Sequence, residues 1–286
     1  MFMIDEYVNA SKCQYRDALD VIEEFEKEML EMNGKCIDIG CGPGDVTKRL
    51  ILPKLSPEAE LVGADILKSM VDHARQKYRD EKRLSFFQLD IEAVDLPNDQ
   101  LGQYTNALSF YCLHWCHNTW RAFDNIYKLL RPGGKALIMF LAWNDGFDAY
   151  TKVYENPRFK PYIPPEDADR FVPFFHRCKD SRAALRKMLD AIGFEILHCS
   201  RREKSFVYQN VQILKSHIIA VNPFISRIPD HLKEEFEDVI VHEITSRKIS
   251  FPNKKANGQQ EYSILDRYHI LVAYLRKPEG RVSEQD

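Results

Sequence analysis

The sequence predicts an α/β protein built on a parallel sheet, and two observations predict it. Cys36-Ile37-Asp38-Ile39 is a short apolar run with the length of a buried strand, and it leads into Gly40-Cys41-Gly42-Pro43-Gly44, three glycines spaced G-x-G-x-G ahead of a helix start at 45–52. Strand-like runs then alternate with helical periodicity as far as residue 142, the rhythm of βαβ units. A strand, a glycine turn and a helix N-terminus together make a nucleotide pocket. Glycine lets the backbone approach a ligand and reach φ > 0, and the helix end presents free N–H groups.

Taken in order, residues 1–10 read as a flexible lead. Ala18, Leu19, Ile22, Phe25, Met29 and Leu30 recur at three- and four-residue spacing and predict a helix over 12–32, ended by Asn33-Gly34. After the first strand and its glycine turn, Pro53 and Pro57 bracket a loop. Residues 60–64 form a second strand ending at Asp65, and 67–78 a helix. Residues 84–89 form a third strand ending at Asp90, and 104–111 a fourth. A helix lies within 115–130, with Arg131-Pro132-Gly133-Gly134 as its stop signal, and a fifth strand spans 135–142. Residues 143–180 are crowded with aromatics and prolines and predict an ordered insertion over the C-terminal edge of the sheet. A helix over 181–192 capped by Gly193, a strand region over 194–207, helices over 211–221 and 231–249, and a last, antiparallel strand over 262–275 complete the chain, with a polar, frayed tail from Pro278.

The domain reading is an N-terminal cap helix at 1–33, a core at 34–142, an aromatic insertion and helix at 143–193, and a second part of the core at 194–286 carrying a helical insertion at 208–254. The 286 residues suit one large α/β domain with insertions or two closely joined domains. A hydrophobic content of 44% with 29% charged residues is that of a globular enzyme, and a net charge of −3 with no basic stripe argues against nucleic acid as a partner. Seven cysteines with no CxxC pair imply reduced thiols and a cytoplasmic setting rather than a disulfide framework. The acidic start Met1-Phe2-Met3-Ile4-Asp5-Glu6 lacks the apolar core of a signal peptide, and no apolar run is long enough for stable membrane insertion.

Ile37-Asp38-Ile39-Gly40-Cys41-Gly42-Pro43-Gly44, Asp65 and Asp90 at strand ends, and Leu130-Arg131-Pro132-Gly133-Gly134 before the fifth strand together resemble the class I methyltransferases that use S-adenosylmethionine. More narrowly, Gln14-Tyr15-Arg16-Asp17-Ala18, Phe110-Tyr111-Cys112-Leu113-His114-Trp115 and Ala220-Val221-Asn222-Pro223-Phe224 are similar to arthropod juvenile hormone acid methyltransferases. The resemblance implies a Rossmann-like, seven-stranded class I sheet with a mostly α insertion cap. It implies an enzyme that transfers a methyl group to the carboxylate of farnesoic acid or juvenile hormone acid. A small apolar carboxylic acid is then the partner, and a homodimer stays open.

The resemblance also assigns roles. Gly40, Gly42 and Gly44 would lie against the methionine part of the cofactor. Asp65, with Ile66 beside it, would accept both ribose hydroxyls, as a carboxylate can and no neutral side chain does. An acidic residue about 20 positions past a glycine turn also suits a dinucleotide site, so Asp65 alone does not discriminate. The glycine spacing and Asp90 favour S-adenosylmethionine. Asp90, with the Ile91 backbone, would meet the adenine amino group, or else cap a turn. Asp38 would anchor the loop or the cofactor's amino group, or else make a structural hydrogen bond. Phe110 would offer a backbone carbonyl to that amino group.

A carboxylic acid is ionised at neutral pH, its free pKa being about 4 to 5, so methylation needs orientation and partial desolvation but no general base. Neutral donors serve better than a cation, which would lower the oxygen's nucleophilicity. Gln14 and Trp120 fit as the catalytic pair by resemblance; a solvated glutamine and a core tryptophan are the alternatives. His114 is a polar contact or a satisfied histidine. Trp115, Trp143 and Tyr150 would line the acid's apolar pocket, or pack the insertion's own core. His114-Trp115-Cys116-His117 lacks the spacing and the second ligand pair of a zinc site, so no metal is expected. From other classes, a nicotinamide oxidoreductase and a non-catalytic binder of apolar ligands remain rivals.

Overall fold

A computed structural model describes residues 11–167, 170–254 and 260–279. The expected lead at 1–10 and the tail beyond 279 lie outside the described residues. Two compact units share the chain. The first comprises Tyr15–Phe140, Cys178–Arg201 and Leu271–Asp286; the second comprises Met1–Gln14, Leu141–Arg177 and Arg202–Ile270.

β1 (Lys35–Ile39), β2 (Glu60–Asp65), β3 (Leu84–Gln88), β4 (Tyr104–Phe110) and β5 (Leu130–Asn144) pair in parallel, β1 with β2 and β4, β2 with β3, and β4 with β5. With β6 (Glu195–Tyr208), β7 (Ile249–Lys254) and β8 (Gln260–Arg276), the described residues form one eight-stranded sheet ordered β3-β2-β1-β4-β5-β8-β6, β7 pairing antiparallel to β8. The apolar runs are apolar because both faces of these strands are covered: Cys36, Ile37, Leu61, Ala107, Leu108 and Leu137 have no exposed surface.

The helices follow the sequence signals, with local departures that have causes. The expected helix over 12–32 is α1 (Lys12–Glu24) and α2 (Glu26–Leu30), parted at Phe25, where φ −98° and ψ 23° distort the turn without breaking its hydrogen bonds to Val21 and from Met29. Over 45–52 the chain closes a π turn at Thr47–Ile51 and a tighter turn at Leu52–Lys54; Pro53 brings no N–H and ends regular helix there. α3 (Lys68–Lys77) packs Val71 and Ala74 against Cys41 and Phe86. α4 (Thr119–Leu129) starts on an Asn118 cap whose side chain accepts from Arg121 N, and it stops where expected. The Pro-Gly-Gly that stops it also belongs to β5, which begins at Leu130, ahead of the expected residue 135; Gly133 N donates to Lys277 O at 2.8 Å.

The second unit holds α5 (Gly146–Glu155), α7 (Val211–Val221) and α8 (Asp230–Thr245), and α6 (Ser181–Ile192) returns to the first, capped by left-handed Gly193. Aromatics knit the second unit: Phe159 meets Phe236 edge-on at 5.2 Å, and Tyr150 meets Phe224 at 5.4 Å. Lys248, 2% exposed, sits between Asp145 (2.6 Å) and Asp266, which removes the cost of burying its charge alone. β7 corrects the sequence reading, which ended a helix at 249 and expected seven strands. Ile249-Ser250-Phe251-Pro252 has no clear alternation, and it is a strand because β8 offers it a partner from Leu265 back to Gln260.

Candidate active site

The site is built at the C-terminal ends of β1 to β4. β1 ends at Ile39, and Gly40 turns the chain at φ +75° while its N–H and that of Cys41 donate to Ala64 O at 2.7 and 3.0 Å. A Cβ on Gly40 would lie 2.3 Å from both Cβ and Sγ of Cys112, so the turn presses directly on the chain leaving β4. Gly42, at φ +53°, differs: a Cβ there would meet no protein atom within 4 Å. One glycine is required by the protein around it, and the other faces open space, which suits a loop that must take a ligand.

Asp65 closes that loop. Its Oδ2 accepts Gly42 N at 2.9 Å and its Oδ1 accepts Leu67 N at 2.9 Å. Each oxygen keeps a lone pair for a further donor. Burial raises the Asp65 pKa, against the pull of the two N–H donors. Ile66 beside it is 53% exposed, and its carbonyl accepts from Gln88 Nε2 at 2.9 Å. Asp38 is 2% exposed and accepts from Thr47 Oγ1 at 2.6 Å. Burial first, and the nearby Asp65 charge, push its pKa up to about 7 against the hydroxyl's pull. The structural hydrogen bond is therefore present at Asp38. Ser109 Oγ ties β4 to Ile39 O at 2.9 Å.

Asp90 follows β3, exposed, with Oδ1 accepting Glu92 N at 2.8 Å; it caps a turn and keeps a second oxygen. Ile91 is buried, and its carbonyl is held by Asn125 Nδ2 at 2.8 Å. β4 ends at Phe110, 7% exposed. His114 and Trp115 lie in a 3-10 turn, Leu113–Trp115, with ring centroids 4.8 Å apart. His114 is buried, its Nδ1 has no hydrogen-bond partner, and burial lowers its pKa to about 3, so the ring is neutral and unsatisfied. Trp120, in the first turn of α4, is 47% exposed, which sets aside the core-packing alternative.

These eleven residues stand in the first unit; Gln14, Trp143 and Tyr150 stand in the second. Gln14 Oε1 is buried without a partner, which a solvated glutamine would not show. Trp143 stacks on His176 (6.2 Å, 12°) and leans on His269 (5.1 Å). Tyr150 is 5% exposed, and burial pushes its phenol up. The sequence reading missed Thr47, Asn125, Cys112 and His176. Asn125, a buried amide inside a helix, is the one whose signal was available, since such a residue has to satisfy its amide on something nearby.

The residues fit S-adenosylmethionine: an open glycine turn, a carboxylate beside it with spare lone pairs, an exposed isoleucine next to that carboxylate, and an unsatisfied neutral imidazole past β4. Comparison with known proteins agrees. Residues 37–136 match the family model described as a methyltransferase domain. Over 275 residues the chain is 32% identical to the juvenile hormone acid O-methyltransferase of Drosophila melanogaster, spanning 95% of this chain and 91% of that one. It is 30% identical over 275 residues to the Bombyx mori enzyme of the same name, spanning 96% of each. Among solved structures, the Haemonchus contortus phosphoethanolamine N-methyltransferase 2 complex with S-adenosyl-L-methionine aligns at a TM-score of 0.54 and 15% identity, over 96% of this chain and 57% of that one, which speaks to the fold. The chain belongs to the class I S-adenosylmethionine-dependent O-methyltransferases and, within them, to the family of the juvenile hormone acid O-methyltransferases.

Proposed function

We propose that this enzyme methyl-esterifies the carboxylate of an apolar, isoprenoid-like acid, with farnesoic acid and juvenile hormone acid as its substrates. The observation that carries the reading is the reach of the likeness. It extends beyond the cofactor core matched at 37–136 to 95–96% of the chain, and so takes in the aromatic insertion that this reading gives to the acceptor. That insertion is rich in aromatic rings, Trp143, Phe147, Tyr150 and Phe171 among them, side chains of the kind that line sites for isoprenoid tails. Seven free thiols suit a cytosolic enzyme, and among the described residues no helix is long and apolar enough to cross a membrane.

In this reading Gly40, Gly42, Asp65, Ile66, Asp90, Ile91, Phe110 and Asp38 hold the cofactor, which supplies an electrophilic methyl on a sulfonium. Gln14 and Trp120 donate hydrogen bonds that orient one carboxylate oxygen without adding charge. His114 and Trp115 of the first unit, and Trp143 and Tyr150 of the second, are each assigned to acceptor binding by the family resemblance. His114, kept neutral, adds no cation that would compete with the sulfonium for the acid. No proton has to leave the acid, because it arrives ionised.

The test is incubation with labelled cofactor and a panel of isoprenoid and fatty acids. Labelled methyl esters of the isoprenoid acids are expected; esters of other acids with none from these would overturn the reading. Gln14→Ala and Trp120→Ala each lower turnover by about a hundredfold through lost orientation, while cofactor affinity moves by about threefold or less. Equal losses of turnover and cofactor affinity in both variants would remove them from the acceptor's side.

A further inference from the structure

We propose that Asp17 is a positioning residue for the methionine end of the cofactor: its buried carboxylate holds the Tyr111 hydroxyl and so locks the left-handed backbone with which the chain leaves β4. The inference rests on reading the β4 end as the place where that part of the cofactor lies. It is independent of which acid is methylated.

Tyr111 is the one described residue other than glycine with positive φ, at +55°. A bulky side chain there is strained, and such strain persists only where the surroundings over-determine it. Here they do so from three sides. Tyr111 N donates to Met139 O at 2.9 Å. The Tyr111 ring stands edge-on to the His114 ring, 5.8 Å apart at 89°. Tyr111 Oη donates to Asp17 Oδ2 at 2.7 Å.

The Asp17 end of this link is itself built. Asp17 lies in α1 with no exposed surface, and its other oxygen, Oδ1, accepts from Arg16 Nε at 3.2 Å and Nη2 at 2.9 Å. A carboxylate wholly inside a protein is retained only when paired and hydrogen-bonded. The Arg16 fork supplies the charge at Oδ1, and the tyrosine hydroxyl meets Oδ2.

The location gives the link its purpose. Phe110 comes immediately before Tyr111, and Cys112, immediately after it, fills the space a Gly40 side chain would need. The Phe110–Tyr111 peptide therefore stands beside the glycine turn. If Oη were released, Tyr111 would lose the hydrogen bond that ties its side chain to α1, and the strained backbone would be freer to relax to negative φ and swing that peptide. The Tyr111 ring also backs His114, whose Nδ1 is unpartnered, so the same pin orients a neutral group aimed at no protein partner.

The experiment is calorimetric titration of S-adenosylhomocysteine and of adenosine, which lacks the amino-acid part, into wild type, Tyr111→Phe, Asp17→Asn and Asp17→Ala. Tyr111→Phe removes one oxygen; it should weaken S-adenosylhomocysteine by about tenfold while adenosine stays within about twofold. Asp17→Asn keeps an acceptor for the hydroxyl and should retain most of the affinity, whereas Asp17→Ala should lose as much as Tyr111→Phe. The double variant Asp17→Ala/Tyr111→Phe should be no weaker than Asp17→Ala alone, because both remove one interaction. If Asp17→Ala does not fold, Tyr111→Phe decides by itself. Equal weakening of both ligands would mean a merely structural role, and unchanged S-adenosylhomocysteine affinity would mean no role; either overturns the proposal. No acid enters the titration, so a wrong choice of acceptor would leave its result intact.

Discussion

At Asp38 a single buried proton links pH to stability. The folded chain holds that proton up to about pH 7, whereas an unfolded aspartate releases it near its ordinary value of 3.8. Between about pH 4 and pH 7 the folded state thus carries a proton the unfolded state has lost, and stability falls as pH rises across that window. The contribution is complete only below the lower limit and is gone above the upper. Asp38→Asn imitates the protonated form and still accepts from Thr47. Against that variant, wild type should lose stability between pH 5 and 7.5, by roughly 2–3 kcal/mol. Thermal unfolding of both proteins across that range checks it, and parallel curves would show that Asp38 titrates normally. Asp38, Asp65 and Asp90 were legible in the sequence because they lie within, at the end of, or just past short strand-like runs, so their place follows from local pattern. Asp17 and Tyr111 were not. Their significance is a contact 94 positions apart and a backbone sign, neither of which leaves a trace in spacing.

The glycine turn separates two effects within one element. Gly40→Ala sets a Cβ against Cys112 at 2.3 Å and adds positive-φ strain, so it should destabilise the apo protein by roughly 1–3 kcal/mol or more. Trimming the partner, as in Gly40→Ala/Cys112→Ala, removes the clash and should recover part of the loss but not the strain. Gly42→Ala meets no protein atom; it should cost the apo protein only the strain, roughly 1 kcal/mol, yet weaken S-adenosylhomocysteine, whose space the methyl enters. Melting temperatures and titrations on the three variants check this. A Gly42→Ala protein that melts early but binds normally would mean the open side of the turn is not the ligand's side. The contrast between legible and illegible elements has the same physical basis. β1, β2, β4 and β5 are buried and write themselves as apolar runs. β7 has Ile249 and Phe251 at 50% and 38% exposure and a proline in its middle, so nothing in its own residues distinguishes it from the end of a helix.

For the whole molecule, cofactor and fold are coupled by mass action. The residues at the ends of β1 to β4 come together only in the folded chain, since Asp38, Asp65 and Phe110 lie on β1, β2 and β4 and Asp90 just past β3, strands that touch through the sheet and not along the sequence. A ligand that binds this arrangement and not the unfolded chain stabilises it by about 2.7 kcal/mol at a hundredfold excess over its Kd. For a chain of this size that amounts to a rise in Tm of roughly 5–10 °C, with S-adenosylhomocysteine as the ligand. NAD(H) should give no rise. The acidic residue after β2 would serve its ribose as well, but the glycine turn here is G-x-G-x-G, lacking the later glycine of G-x-G-x-x-G that brings helix and strand together around a pyrophosphate. Parallel melts with each ligand make the comparison. A shift with NAD(H) and none with S-adenosylhomocysteine would mean that the turn cradles a diphosphate. In Tyr111→Phe the ligand-free Tm should fall, because buried Asp17 loses a donor, and the S-adenosylhomocysteine shift should shrink as well. Loss of a hydroxyl 94 residues from its partner would then be read directly in how strongly the cofactor holds the fold together.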